Sequence, residues 1–186
     1  MKNWAIWITG LPGSGKSTIA KELMKLLEMN KIEFEYLSMD KLRKIFTPNP
    51  KYTEEERDFA YNQLVEMANS VFNKGKNILI DATSHRKRWR EQARNSMKNF
   101  IEVYVKCPLE ICMSRESKRK NDLIIQNIYK KGLQRLKTRE KIEGLGQIVG
   151  LDVPYEEPED PEIIINSSEL SPKQSAEKIF KYLTEN

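Results

Sequence analysis

An α/β fold, with a parallel sheet covered by helices on both faces, is what the sequence predicts. Three observations carry this. Short apolar runs alternate with helix-period segments along the chain. The first run, Trp4-Ala5-Ile6-Trp7-Ile8, feeds a glycine-rich turn, Gly10 to Thr18, which opens a helix. Polar residues then recur just past strand ends, where open α/β sheets bind ligands. They are Gly10 to Thr18 after the first strand, Asp40 after the second and Asp81 to His85 after the third.

The first helix is marked by Ile19, Leu23, Leu26 and Leu27 at helical spacing. Ile32-Glu33-Phe34-Glu35-Tyr36-Leu37 alternates apolar and polar, a strand that ends at Ser38-Met39-Asp40. Pro48, Asn49 and Pro50 make a loop. Thr53-Glu54-Glu55-Glu56 has the form of a capping box. It starts a long helix with Ala60, Leu64, Met67, Ala68 and Val71 on one face and Gly75 as its stop. Asn77-Ile78-Leu79-Ile80 is a buried strand closing on Asp81. A basic helix follows, then the strand Phe100-Ile101-Glu102-Val103-Tyr104-Val105, and Pro108 opens a helix running towards Arg115. The stretch from about 115 to 150 is polar, weakly periodic after Lys118, and is expected to form a mobile, partly helical lid. Ile163-Ile164-Ile165 is the last strand. Ser171-Pro172-Lys173-Gln174 supplies an N-cap, a proline at the first helical position and a glutamine three on for the closing helix. No repeat or linker divides the chain, so residues 1–186 are expected to form one domain.

Composition narrows the class. Hydrophobic residues make up 39% and charged residues 32%, and no apolar run approaches the roughly 18 residues of a membrane span. The chain enters its first strand without a charged-then-apolar leader, and Cys107 and Cys112 lack the spacing and companions of a zinc site. Reduced thiols in a cytoplasmic protein with no membrane partner are the expectation. The net charge is +5, but it is segregated. Arg86, Lys87, Arg88, Arg90 and Arg94 form one basic cluster and Arg115, Lys118, Arg119 and Lys120 another, while Glu156, Glu157, Glu159, Asp160 and Glu162 gather late. A basic middle suits a polyanion, either a small nucleotide or a nucleic acid. A solvated helix face is the plainer alternative.

Gly10-Leu11-Pro12-Gly13-Ser14-Gly15-Lys16-Ser17-Thr18 matches GxxxxGK[ST] in the strand, turn and helix context the motif requires. Gly10, Gly13 and Gly15 permit the tight turn, and the backbone N–H groups up to Thr18, Ser14 among them, face phosphate oxygens at a helix N-terminus. Lys16 reaches the outer phosphates of a nucleoside triphosphate, and the Ser17 hydroxyl holds Mg²⁺. Asp40 and Arg43, three residues apart at a strand end, suit phosphoryl transfer to an alcohol. The carboxylate readies the attacking hydroxyl and the guanidinium clamps an acceptor phosphate. A helix cap with an exposed arginine behind it is the bland alternative. Asp81 has the position of a Walker-B-like acid for Mg²⁺, or caps the next helix. His85 is the only histidine and reads as an ordinary loop residue. Arg86, Lys87 and Arg88 sit at a helix start, where the dipole disfavours cations. A bound anion is expected to offset them, with Arg90 aimed into the cleft and Trp89 either stacked on a base or turned into the core. Arg115 and Arg119 share a face if helical, and from a lid they would close over the transferring phosphate.

These residues resemble the adenylylsulfate (APS) kinases, which use ATP to phosphorylate the 3′-hydroxyl of adenosine 5′-phosphosulfate. The resemblance rests on the Gly10 to Thr18 loop, on Asp40-x-x-Arg43, and on Phe100 to Val105 with Pro108-Leu109-Glu110. It rests most of all on Gly150-Leu151-Asp152-Val153-Pro154-Tyr155-Glu156-Glu157-Pro158-Glu159-Asp160-Pro161-Glu162. It implies a P-loop kinase fold, three-layered α/β/α with a five-stranded parallel sheet, ATP and Mg²⁺ as cosubstrates, a small nucleotide acceptor, and often a homodimer. Its acceptor-binding positions map onto Asp40, Arg43, Ser84 and, in the tyrosine-bearing loop, Asp152 to Tyr155.

Two stretches depart from that pattern. The family's Asp-Gly-Asp-Asn-x-Arg appears as Ser38-Met39-Asp40-Lys41-Leu42-Arg43, and its Phe-x-Ser-Pro as Ala82-Thr83-Ser84-His85. Asn121 to Gln147 looks like additional lid sequence. The departures fall on acceptor recognition and leave phosphate handling intact. The Asp81-Ala82-Thr83 ending and the Arg115/Arg119 spacing look more like polynucleotide 5′-kinases and seryl-tRNA kinases. A kinase for another small nucleotide, such as a cytidine derivative of a surface-polysaccharide pathway, also fits. A nucleotide-gated switch protein is the non-enzyme alternative, and it leaves Asp40 and Arg43 without a task.

Overall fold

In the computed structural model, which describes residues 3–50, 53–118 and 126–185, the apolar runs become five parallel strands. They are β1 (Ala5–Thr9), β2 (Phe34–Ser38), β3 (Asn77–Asp81), β4 (Phe100–Lys106) and β5 (Ile163–Asn166), in the spatial order β2-β3-β1-β4-β5. All five residues of the central β1 are buried, because helices cover both faces. One face carries Ile6, Ile8, Leu79, Val103 and Ile165 against α1 (Lys16–Met29) and α7 (Pro172–Glu185). The other carries Trp7, Ile78, Ile80 and Phe100 against α3 (Glu54–Phe72) and α4 (Lys87–Ser96), with Leu64, Ala68 and Trp89 filling the layer. The three-layer α/β/α arrangement expected from the sequence is present.

The register places the site. Asp81 lies opposite Ile8 on one side and Ser38 on the other, so β1, β2 and β3 end together. From β1 the chain runs out to β2, returns to β3 and then crosses to β4 on the far side. That reversal opens a crevice at the carboxyl end of β1.

Local signals hold at the helix ends. The Thr53 hydroxyl accepts from the Glu56 N–H at the start of α3. At α7 the box is reciprocal: Ser171 Oγ accepts from Gln174 N–H, and Gln174 Oε1 from Ser171 N–H. The structure adds a short helix not read from the sequence, α2 (Met39–Phe46), between β2 and the proline loop. After β4 come α5 (Leu109–Ser117) and α6 (Ile128–Thr138), which pack together. Tyr129 of α6 is buried and its hydroxyl donates to the Pro12 carbonyl at 3.1 Å, tying the helix to the turn after β1.

That turn is wedged against α5. Gly13 has φ +83°, and a Cβ there would lie 2.3 Å from the Cys112 carbonyl oxygen. Both the backbone angle and the space exclude a side chain. Gly13→Ala is expected to destabilise the fold by more than about 1 kcal/mol in urea titrations, as does an alanine forced into a positive-φ site.

Candidate active site

The turn from Gly10 to Gly15 leads straight into α1, whose N-cap, Gly15, makes no side-chain capping bond. The Thr18 N–H donates to the Gly15 carbonyl at 3.1 Å, while the N–H groups of Lys16 and Ser17 stand at the helix N-terminus, an anion-binding arrangement. Lys16 is almost completely buried, and its ammonium donates to the Leu11 carbonyl at 2.9 Å. Beside this turn lies a cavity of about 630 Å³ lined by Gly13, Gly15, Lys16, Ser17 and Thr18, with Asp40 on its wall. That volume falls within the roughly 300–1,000 Å³ of small-molecule sites.

Asp40 stands in the first turn of α2, and Arg43 follows one turn on, its guanidinium 3.8 Å from Glu56. Asp81 closes β3 and is buried; burial raises its pKa, while the Lys16 ammonium and the Ser17 hydroxyl act in the opposite direction. Lys16, Ser17, Asp40, Arg43 and Asp81 line one second cavity, together with Met39, Ala82 and Thr83. Among the described residues no group of three or more acidic, histidine or cysteine side chains could hold a metal unaided. A hydroxyl beside one or two carboxylates is instead the hard oxygen set that suits Mg²⁺ sharing its coordination with phosphates. Ser17 and Asp81 fit that ion.

Other expectations need correcting. Arg90 does not aim into the cleft. Its side chain is 1% exposed, its Nε donates to Glu102 Oε1 at 2.6 Å, and its remaining donors engage the Ser84 and Glu156 carbonyls. The anion expected at the start of α4 is the protein's own. Glu156 accepts from the Lys87 N–H at 2.7 Å and from Arg86 at 2.9 Å. Lys87 also meets Glu159 and Arg94 pairs with Glu162, while Arg88 meets Glu54 and Asp58 and Arg90 meets Glu102, so the protein's own acids neutralise the first basic cluster. A polyanion surface is not what that cluster forms.

Asp152 is turned to Arg135 (2.5 Å) and to the Ile148 N–H (2.6 Å), fastening the 148–153 turn rather than lining either cavity. The Tyr155 hydroxyl meets Thr9 Oγ1 at 2.8 Å, and its ring stacks on Tyr104 beneath Arg90. Ser84 is fully buried; its N–H donates to the Tyr61 hydroxyl and its Oγ has no partner. Arg115 belongs to α5, outside α6 and the 145–149 segment, with donors on Ser14 O (3.4 Å) and Ser167 O (2.8 Å). Arg119 lies outside the described residues. Trp89 is core, stacked on Tyr61.

Two side chains escape the sequence reading. Arg57 and Tyr61, one turn apart on α3, both line the Asp40 cavity, and Arg57 donates to the Gln147 carbonyl at 2.6 Å. The signal was present: Arg57 continues the buried stripe of Tyr61, Leu64 and Ala68, where a charge has no place without a task.

A glycine-rich phosphate cradle on one wall of a parallel-sheet crevice, with an acid and arginine pair on the other, puts the chain among the P-loop nucleotide-dependent phosphotransferases. Within that class it belongs to the adenylylsulphate kinase family, whose sequence profile matches residues 2–166. It is 38% identical over 165 residues to a probable adenylyl-sulfate kinase of Archaeoglobus fulgidus, covering 89% of this chain and 96% of that one. A probable adenylyl-sulfate kinase of Pyrococcus abyssi is 34% identical over 181 residues, covering 97% and 95%. The same fold occurs in the Mycobacterium tuberculosis APS kinase, solved in complex with AMPPNP and APS. That match has a TM-score of 0.78 and 23% identity, with 98% of each chain covered.

Two outcomes follow from the buried charges. Arg90→Ala leaves the buried Glu102 with only Arg94, at 3.2 Å, and is expected to cost about 1–3 kcal/mol in urea unfolding. His85 is fully buried with neither ring nitrogen hydrogen-bonded, and burial, then Arg57 and Arg86, push its pKa down to about 3. The unfolded chain takes up a proton there below about pH 6.5 and the folded chain does not until about 3. Stability is therefore lost as pH falls through that window, by up to about 1.4 kcal/mol per pH unit. Unfolding free energy plotted against pH is expected to be flatter in His85→Asn between those limits.

Proposed function

We propose that this chain is an ATP-dependent kinase that transfers the γ-phosphate to the 3′-hydroxyl of adenosine 5′-phosphosulfate. The observation that carries this is the convergence of Lys16, Ser17, Asp40 and Arg43 on one cavity in a chain of the adenylylsulphate kinase family. The N–H groups of Gly13, Gly15, Lys16 and Ser17 and the Lys16 ammonium cradle the triphosphate. Ser17 and Asp81 hold Mg²⁺, which when bound neutralises charge on the phosphate oxygens. Asp40 orients the acceptor hydroxyl and takes its proton. Arg43 and Arg57, on two walls of the same cavity, offer planar forks to the acceptor's anionic end. Arg115 serves the nucleoside side, where Gly15, Thr18, Ser167 and Leu170 line a shallow cleft.

The Asp40 cavity measures about 150 Å³, below the roughly 300–1,000 Å³ of nucleotide-sized sites. Leu145 to Val149 form part of its wall, and Arg57 and Tyr129 tie that segment to α3 and the turn after β1. In this reading α6 and residues 145–149 are the lid, which opens to admit the acceptor and closes to exclude water. The internal neutralisation of the basic helix favours a small nucleotide over a nucleic acid. One observation favours a second reading, a different small nucleotide such as a cytidine derivative. Met39 and Ala82, two positions that depart from the family pattern, line the acceptor cavity.

Phosphate transfer from labelled ATP with Mg²⁺ to APS, cytidine nucleotides, a 5′-hydroxyl oligonucleotide and seryl-tRNA separates these readings. Transfer to APS is the expected result. Asp40→Asn is expected to lower turnover about 10²–10⁴-fold at unchanged melting temperature. A loss smaller than threefold would show that Asp40 does not act on the hydroxyl.

A further inference from the structure

Asp81 is held by a residue with no part in the scheme above. In the parallel register of β2 and β3, Tyr36 lies opposite Leu79 and Ser38 opposite Asp81. Tyr36 and Asp81 therefore share a sheet face as diagonal neighbours, a separation that an aromatic side chain spans. The Tyr36 hydroxyl donates to Asp81 Oδ2 at 3.0 Å. This is the face covered by α1, whose first turn carries Ser17.

The carboxylate is subject to opposed pulls. Lys16 attracts it, Asp40 repels it, and Ser17 hydrogen-bonds to it. A short side chain among these groups has more than one favourable orientation. The phenol removes the choice by fixing one oxygen from the β2 side. The ring is itself braced, with the Lys41 ammonium 5.8 Å from its centroid and the α1/α7 core packed against it. Tyr36 also lines the cavity beside the phosphate-binding turn, together with Lys16, Ser17 and Asp40.

We infer that Tyr36 is a positioning residue for the divalent-cation site, holding the Asp81 carboxylate in place beside Ser17. The inference rests on the reading of Ser17 and Asp81 as the Mg²⁺ groups. Partners that orient a metal-binding carboxylate are worth about 10–100-fold in metal affinity.

Tyr36→Phe keeps the ring, its packing and its contact with Lys41, and removes only the hydroxyl. Mn²⁺ binding to the full chain with AMPPNP, followed by electron paramagnetic resonance, is expected to weaken about 10–100-fold in this variant. AMPPNP affinity in EDTA, acceptor KM and melting temperature stay at wild-type values, while the Mg²⁺ concentration for half-maximal turnover rises. Mn²⁺ affinity within twofold of wild type overturns the inference, as does an equal loss of AMPPNP affinity in EDTA. Asp81→Asn run in parallel separates the two levels. If it weakens Mn²⁺ binding and Tyr36→Phe does not, only the role of Tyr36 fails. If neither variant weakens it, the Mg²⁺ assignment to Asp81 fails as well.

Discussion

The whole site depends on one close approach of backbone to backbone. At Gly10 a Cβ would lie 2.5 Å from the Val105 carbonyl oxygen, and at Gly13 2.3 Å from that of Cys112. The turn after β1 is pressed against the end of β4 and against α5, with no side chain between them. This contact fixes where the N–H groups of the turn point and places Lys16 and Ser17 at the mouth of the crevice. It also brings the turn within reach of α6 through Tyr129, and of the β5–α7 loop, where the Ser167 hydroxyl donates to the Ser14 carbonyl at 2.7 Å. Phosphate recognition by amides works only if the amides are pre-aimed, and here the aim is set by sterics.

Behind the site, α4 and β4 are organised by charge. Arg90 and Arg94 of α4 share Glu102 of β4, and Glu162 accepts from both Arg94 and the Glu102 N–H. Glu156 caps α4 and passes its carbonyl to Arg90. In this way the acidic stretch after Tyr155 is stitched onto the basic helix, and the tyrosine is held over the end of β1. Buried ions are costly unless every partner is present. The network therefore holds α4, β4 and the 156–162 stretch in one arrangement, while Arg43 and Arg57 line the Asp40 cavity.

Much of the fold was legible because sheet and helix impose periods that neighbouring residues reveal. The alternation in Ile32 to Leu37, the apolar run Asn77 to Ile80 and the box at Ser171 all became the elements they signalled. The phosphate half of the site was legible for a related reason: a cradle made of successive amides must be written in successive residues. The Asp40 cavity was legible only in part. Asp40, Arg57, Ala82 and Ile148 come from four separate segments, and only the sheet register and helix packing bring them to one cavity. Arg57 hides in an acidic helix start, and Tyr36 looks like any aromatic strand residue until Asp81 is seen diagonally across from it.

By itself the sequence determined the α/β class and the glycine-rich turn, since each is an effect of residues near one another along the chain. Tertiary structure decided the fate of the charges. Arg90, anticipated in the cleft, is buried on Glu102. The anion at the head of α4 is Glu156, seventy positions beyond Arg86. Asp152 serves Arg135 rather than a ligand. Coulombic partners are chosen by distance in space, and distance in space is what a linear pattern does not contain.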